Sequence, residues 1–143
     1  ITQAWPEESD LWQAGKALYA AENIVRRGGH ILVVADLAEG VGPHRTFAEL
    51  IGSDEKDILM YRDRHDAVGL AAAAAYVTKT VQKKASVSFV TNSIHLQEMS
   101  LLTGLRFYKN IQVAIDDIMK YNHKLTFSIL YEAPLMLPIP EGQ

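Results

Sequence analysis

The sequence predicts an α/β domain, a small three-layer domain in which a parallel sheet of about three to four strands carries helices on both faces. Two short apolar runs, residues 30–35 and 86–91, have the composition of strands buried on both sides. They alternate with longer segments whose apolar residues recur every three or four positions, as in amphipathic helices. Because parallel strands need long crossover connections, this alternation favours βαβ units.

The first helix is predicted from Leu11 to Arg27, after a lead-in of eight residues. Ser9 or Asp10 supplies a side chain suited to cap its start. Leucine, alanine and valine side chains then form one apolar stripe along it. Gly28 and Gly29 favour a left-handed stop just before the first strand.

The rest of the chain continues the alternation of helices with strands. The sequence predicts a short helix at 46–51, a helical segment at 56–84 with a break near 62–66, helices at 94–102 and 111–122, a third strand at 125–132 and a proline-containing extended tail.

Length and composition narrow the class of protein. A chain of 143 residues fits a single domain, residues 1–143. Its net charge of −3, from 14 basic and 17 acidic residues, argues against nucleic acid as a partner. No apolar run approaches the roughly 20 residues that span a bilayer, so we expect no membrane partner. The absence of cysteine favours a cytoplasmic protein.

The turn Gly40-Val41-Gly42, after the first predicted strand, suggests a nucleotide-binding loop. The dinucleotide fingerprint needs a third glycine or alanine where Arg45 stands. An ordinary strand-to-helix turn is therefore the favoured interpretation.

The histidines form no pattern that predicts a metal site. They are scattered through the chain: His30, His44, His65, His95 and His123. None has a second ligand at the spacing that zinc or related sites use within a helix. His65, beside Asp66 at the predicted helix break, is the best candidate for chemistry among them. We expect no metal bound by this chain.

Gln13 and Lys16 are the strongest candidates for a binding site. Three residues apart, they share one helix face in the first turns, where free backbone N–H groups create a positive potential. An ammonium, an amide and a helix start suit a carboxylate or phosphate. Gly15 between them costs about 1 kcal/mol relative to alanine inside a helix, which suggests room for a ligand or another backbone. The alternative is a solvated helix face.

These segments together resemble a known enzyme family. The stretch "DLWQAGKALYAAENIVRRGGHILVVADLAEGVG", the unit ending in "SVSFVTN" and the stretch "NIQVAIDDIMKYNHKLTFSILYEAPLMLPIPEG" are similar to the C-terminal domain of the nickel-dependent lactate racemases. The likeness runs from about Asp10 to Gly142. Its most specific part is the Gln13–Lys16 helix that leads into the double glycine, the apolar strand and the glycine turn.

The resemblance implies a function for the whole enzyme and a role for this domain. In that family two domains enclose a nickel-pincer nucleotide, which removes hydride from the α-carbon of a 2-hydroxy acid and returns it to the opposite face. The N-terminal domain holds the cofactor and supplies basic histidines. The resemblance assigns substrate binding to Gln13 and Lys16, with Trp12 where the family often has tyrosine. It implies no catalytic or metal-binding residue in this chain.

The resemblance also implies that this chain is one part of a two-domain isomerase. We expect the N-terminal domain to be its partner and the isolated domain to be inactive and free of cofactor. Two other interpretations stay open at this point. One is a stand-alone module that binds a small anion or nucleotide at the glycine turn, and the other is a structural or oligomerisation domain.

Overall fold

The sheet confirms the predicted α/β class. The computed structural model describes residues 1–120 and 124–139. Four strands form one sheet, all neighbouring pairs parallel and in chain order: β1 Thr2–Gln3, β2 His30–Val34, β3 Ser86–Val90 and β4 Arg106–Tyr108. β2 and β3 pair along their whole length, from His30 opposite Ser86 to Val34 opposite Val90.

Helices connect the strands. They are α1 Leu11–Ala14, α2 Ala17–Ile24, α3 Arg45–Gly52, α4 Glu55–Leu59, α5 Ala67–Lys84, α6 Leu96–Thr103 and α7 Ile111–Met119, followed by a 3-10 turn at Ala133–Leu135. Among the residues that the structure describes, no helix is both long enough and apolar enough to cross a membrane. The predicted break between residues 62 and 66 lies between α4 and α5.

Helices cover both faces of the sheet, as the alternation of side chains along the strands requires. Ile31 and Val33 of β2 point into the larger core, which also takes in Phe89 of β3 and the apolar sides of α1, α2, α3 and α5. Leu32 of β2 points to the opposite face and packs with Ala114 of α7. The two faces therefore differ in size, and the larger core adjoins the first helices.

The first helix is shorter than predicted and interrupted. α1 ends at Ala14, and Gly15 and Lys16 form a turn before α2 begins. In this turn, Lys16 N–H donates to the Gln13 carbonyl at 3.0 Å, the three-residue spacing of a tightened helix. α2 ends at Ile24 because Val25 is extended, so the predicted end at Arg27 was wrong.

Two strands were missed because they are too short to show a pattern. β1 has two residues and lies in what the sequence suggested was a lead-in, and β4 has three. Conversely, the third strand predicted at 125–132 is wrong in extent. Only Leu130 forms a bridge there, parallel to Thr2. A two-residue edge strand offers too short a ladder for a longer partner, which explains the difference.

The end of α7 was predicted at Asn122, which lies outside the described residues, as do His123 and the proline at position 140. The start of α7 is well defined, since the Asn110 side chain accepts hydrogen bonds from the N–H groups of Gln112 and Val113.

Close packing between α3 and α6 gives a test of the fold. A Cβ atom added at Gly52 would lie 2.1 Å from the Leu102 carbonyl oxygen, which is backbone and cannot rotate away. We expect Gly52→Ala to lower the free energy of unfolding, measured by urea denaturation, by about 1–3 kcal/mol, the range for overpacked positions. The neighbouring substitution Ser53→Ala, at a partly exposed side chain, is the control and should cost less than about 1 kcal/mol. Equal stability of Gly52→Ala and wild type would contradict this packing.

Candidate functional site

The start of α1 is attached to the carboxyl ends of the parallel strands. Leu11 N–H donates to the Gly40 carbonyl at 2.8 Å, which ties α1 to the loop after β2. Leu37 N–H donates to the Glu8 carbonyl at 2.8 Å and ties the same loop to the segment after β1. The start of α1, with the candidate residues Trp12 and Gln13, therefore lies beside the loops that follow β1 and β2.

Asp10 fixes the first turn of α1. Its carboxylate is 4% exposed and accepts the Gln13 N–H at 2.9 Å, as the sequence suggested for a capping residue. Gly42, in a left-handed conformation with φ of 57°, packs on the Asp10 side chain, where a Cβ atom would lie 2.9 Å from the Asp10 Cβ. The glycine turn therefore serves as a support for the helix cap.

Trp12 packs against side chains of the loop and helix that follow β2. Its ring stacks on His44 at a centroid distance of 4.5 Å and meets the edge of Phe47 at 5.0 Å. Trp12 is partly buried, so one part of the ring remains accessible. The ring holds the outer side of α1 on α3.

Gly15 faces protein rather than open space. A Cβ atom there would lie 3.8 Å from the Phe47 ring and 3.1 Å from the Trp12 carbonyl oxygen. The Phe47 ring thus lies at van der Waals distance on the side of Gly15 to which a side chain would point. The glycine allows the turn to sit close to the core.

Lys16 lies at the start of α2 and forms an ion pair that the sequence did not suggest. Its Nζ is 2.9 Å from Oε2 of Glu7, and the two side chains are 41% and 36% exposed. The Lys16 ammonium also acts on Tyr19, where burial raises the pKa of the phenol and the nearby positive charge partly offsets that rise. Lys16 is thus a reachable cation that already holds one carboxylate.

Gln13 lies three residues before Lys16 in the sequence, and its side chain carries a buried polar atom. Its side-chain oxygen Oε1 is buried, and no hydrogen-bond partner lies near it among residues 1–120 and 124–139. An unpaired buried acceptor costs about 1–3 kcal/mol. A hydroxyl or amide donor from a ligand would remove that cost.

Two grooves on the surface of the described residues lie apart from Gln13 and Lys16. One groove lies at the carboxyl ends of β2 and β3 and includes Glu8, Asp36 and Asn92. The other runs along α6 and includes Arg45, His95 and Glu98.

The glycine turn packs on protein neighbours, and the basic residue near it is already paired. A Cβ atom at Gly40 would lie 2.7 Å from His95, so protein fills this space. Arg45, the nearby basic residue, pairs with Glu49 at 2.9 Å and Glu98 at 2.6 Å.

The histidines are dispersed in the fold. In residues 1–120 and 124–139, no group of three or more His, Asp or Glu side chains could hold a metal ion. His65 is exposed, and Asp66 beside it caps α5 by accepting the N–H groups of Val68 and Gly69. The other described histidines contact protein neighbours: His30 contacts Ser88, His44 contacts Trp12, and His95 packs on Gly40.

The fold is similar to that of a solved racemase. The structure of the lactate racemase apoprotein from Thermoanaerobacterium thermosaccharolyticum matches this chain with a TM-score of 0.76 and 19% sequence identity. The match covers 99% of this chain and 35% of that protein, so the chain spans about a third of the racemase. No protein-family model and no curated protein matches the sequence. The likeness shows a lactate racemase-like fold.

The helix cap that positions Gln13 can be tested separately from any ligand. We expect Asp10→Ala to lower the free energy of unfolding by about 1–2 kcal/mol, since it leaves the Gln13 N–H unpaired. Asp10→Asn keeps an acceptor oxygen and should lose less than about 0.5 kcal/mol. Thermal or urea unfolding of both variants measures the difference. A loss of similar size in both would mean that the charge rather than the cap stabilises α1.

Proposed function

We propose that this chain is the substrate-side, C-terminal domain of a racemase or epimerase of 2-hydroxy acids that depends on a nickel-pincer nucleotide. The single observation that carries the proposal is the partly exposed ion pair of Lys16, in the turn between α1 and α2, with the Glu7 carboxylate at 2.9 Å. The racemase-like fold is consistent with it.

Lys16 has the position and chemistry to anchor the carboxylate of a hydroxy acid. Inversion at the α-carbon passes through a trigonal centre, so the carboxylate must stay fixed while the configuration changes. A charged hydrogen bond from an ammonium to a carboxylate is about twice as strong as a neutral one. Lys16 would therefore fix the acid end of the substrate.

Gln13 and Trp12 would complete this wall of the site. A turn of the Gln13 amide would offer its unpaired oxygen to the hydroxyl of the substrate, which needs an acceptor. The Trp12 ring, held by His44 and Phe47, would give a rigid apolar side beside the acid group. Together the three residues would orient the substrate without taking part in bond breaking.

In this proposal the nickel-pincer nucleotide binds to another part of the enzyme. The described residues offer no group of three or more His, Asp or Glu side chains that could hold nickel. The nickel-pincer nucleotide would be held by a further, N-terminal domain, which would form the facing wall of the active site. The chain by itself would bind a hydroxy acid weakly and convert none.

A substitution at Lys16 tests the proposal in a polypeptide that includes both domains. We expect Lys16→Ala to lower kcat/KM for racemisation of a 2-hydroxy acid by roughly 100-fold, which corresponds to the loss of about 3 kcal/mol of transition-state binding. Lys56→Ala, at a lysine 78% exposed on α4, is the matched control and should leave kcat/KM unchanged. Activity of Lys16→Ala equal to that of wild type, with unchanged unfolding, would contradict the role of Lys16.

A further inference from the structure

We propose that Glu7 is an internal competitor for the carboxylate site, so that a substrate must displace its side chain from Lys16 before it binds. This inference rests on the proposed function, because it assumes that Lys16 receives the acid group of a ligand. It adds an affinity-determining residue that the sequence patterns did not suggest.

The geometry of the pair is that of a bound carboxylate. Glu7 Oε2 lies 2.9 Å from Lys16 Nζ, within the range for a charged hydrogen bond. With 41% and 36% of the two side chains exposed, solvent reaches both groups. Exposed ion pairs of this kind are weak, so the contact opens readily.

Displacement of Glu7 needs no change in the backbone. The N–H of Glu7 donates to the Ala4 carbonyl at 2.8 Å, and the carbonyl of Glu8 accepts the Leu37 N–H at 2.8 Å. These bonds hold the segment on both sides of the acid. Rotation of the Glu7 side chain alone would free Lys16.

If the carboxylate of a ligand replaces that of Glu7 at Lys16, a ligand with one negative charge is favoured over a dianion. A monocarboxylate that replaces Glu7 restores the same charge pair at Lys16. Glu7 remains nearby after it moves, so a dianion would meet one cation and an adjacent negative charge. Like charges at close range disfavour such binding.

The neighbouring Glu8 offers a matched control. It carries the same charge and adjoins Glu7 in sequence, but its side chain lines the groove at the ends of β2 and β3. Neutralising Glu8 therefore changes the net charge in the same way without touching the Lys16 pair.

The experiment measures lactate binding to the 143-residue chain by NMR, following the backbone amide signals of residues 7, 13 and 16, which every variant retains, during titration with sodium lactate. Glu7→Gln should lower the Kd roughly two- to fivefold, the change expected when an exposed ion pair no longer competes. Glu8→Gln should leave the Kd at its wild-type value. Lys16→Met should abolish the response. Glu7→Ala gives a second test if Glu7→Gln alters the unfolding curve.

The outcomes separate this inference from the proposed function. An unchanged Kd in both Glu7 variants, with binding that still requires Lys16, would overturn the competition and leave the carboxylate site standing. Equal tightening in Glu7→Gln and Glu8→Gln would also overturn it, because net charge would then explain the change. Absence of Lys16-dependent binding in wild type and in the Glu7 variants would overturn both.

Discussion

The connection between α1 and the carboxyl ends of the strands is the constraint on which the candidate site depends. The Leu11 N–H bond to the Gly40 carbonyl and the Asp10 cap fix where the first helix begins. The tightened turn at Gly15 then determines the position from which the Lys16 side chain projects. Without these local bonds, Gln13 and Lys16 would share a helix face but would have no fixed relation to the sheet.

The same constraint explains why a glycine-rich stretch and a helix start occur together without forming a phosphate site. The left-handed residues Gly40 and Gly42 allow the loop to approach His95 and Asp10. Because these glycines have no side chain, the loop can pack closely against other parts of the protein. Lys16, in the turn between α1 and α2, is a partly exposed cation that is paired with the Glu7 carboxylate.

The sequence predicts the parts of the fold whose signal is local. Strands β2 and β3 are continuous apolar runs, and the helix cap Asp10 is a residue of the expected type, so these features could be predicted. β1 has only two residues and no periodicity, and its place in the sheet depends on pairing with β2. Residues 125–132 have strand composition, but strand formation needs a partner long enough to pair with. The sequence did not predict the role of Glu7, because Glu7 and Lys16 lie nine positions apart and are brought together by the turn after β1.

The central claim is that Lys16 is a carboxylate site, and a crystal structure of this chain grown in a high concentration of lactate tests it most directly. We predict a lactate carboxylate oxygen at about 2.7–3.2 Å from Lys16 Nζ, with the Glu7 side chain turned away. Lys16 still paired with Glu7, together with lactate ordered at another surface, would contradict the claim.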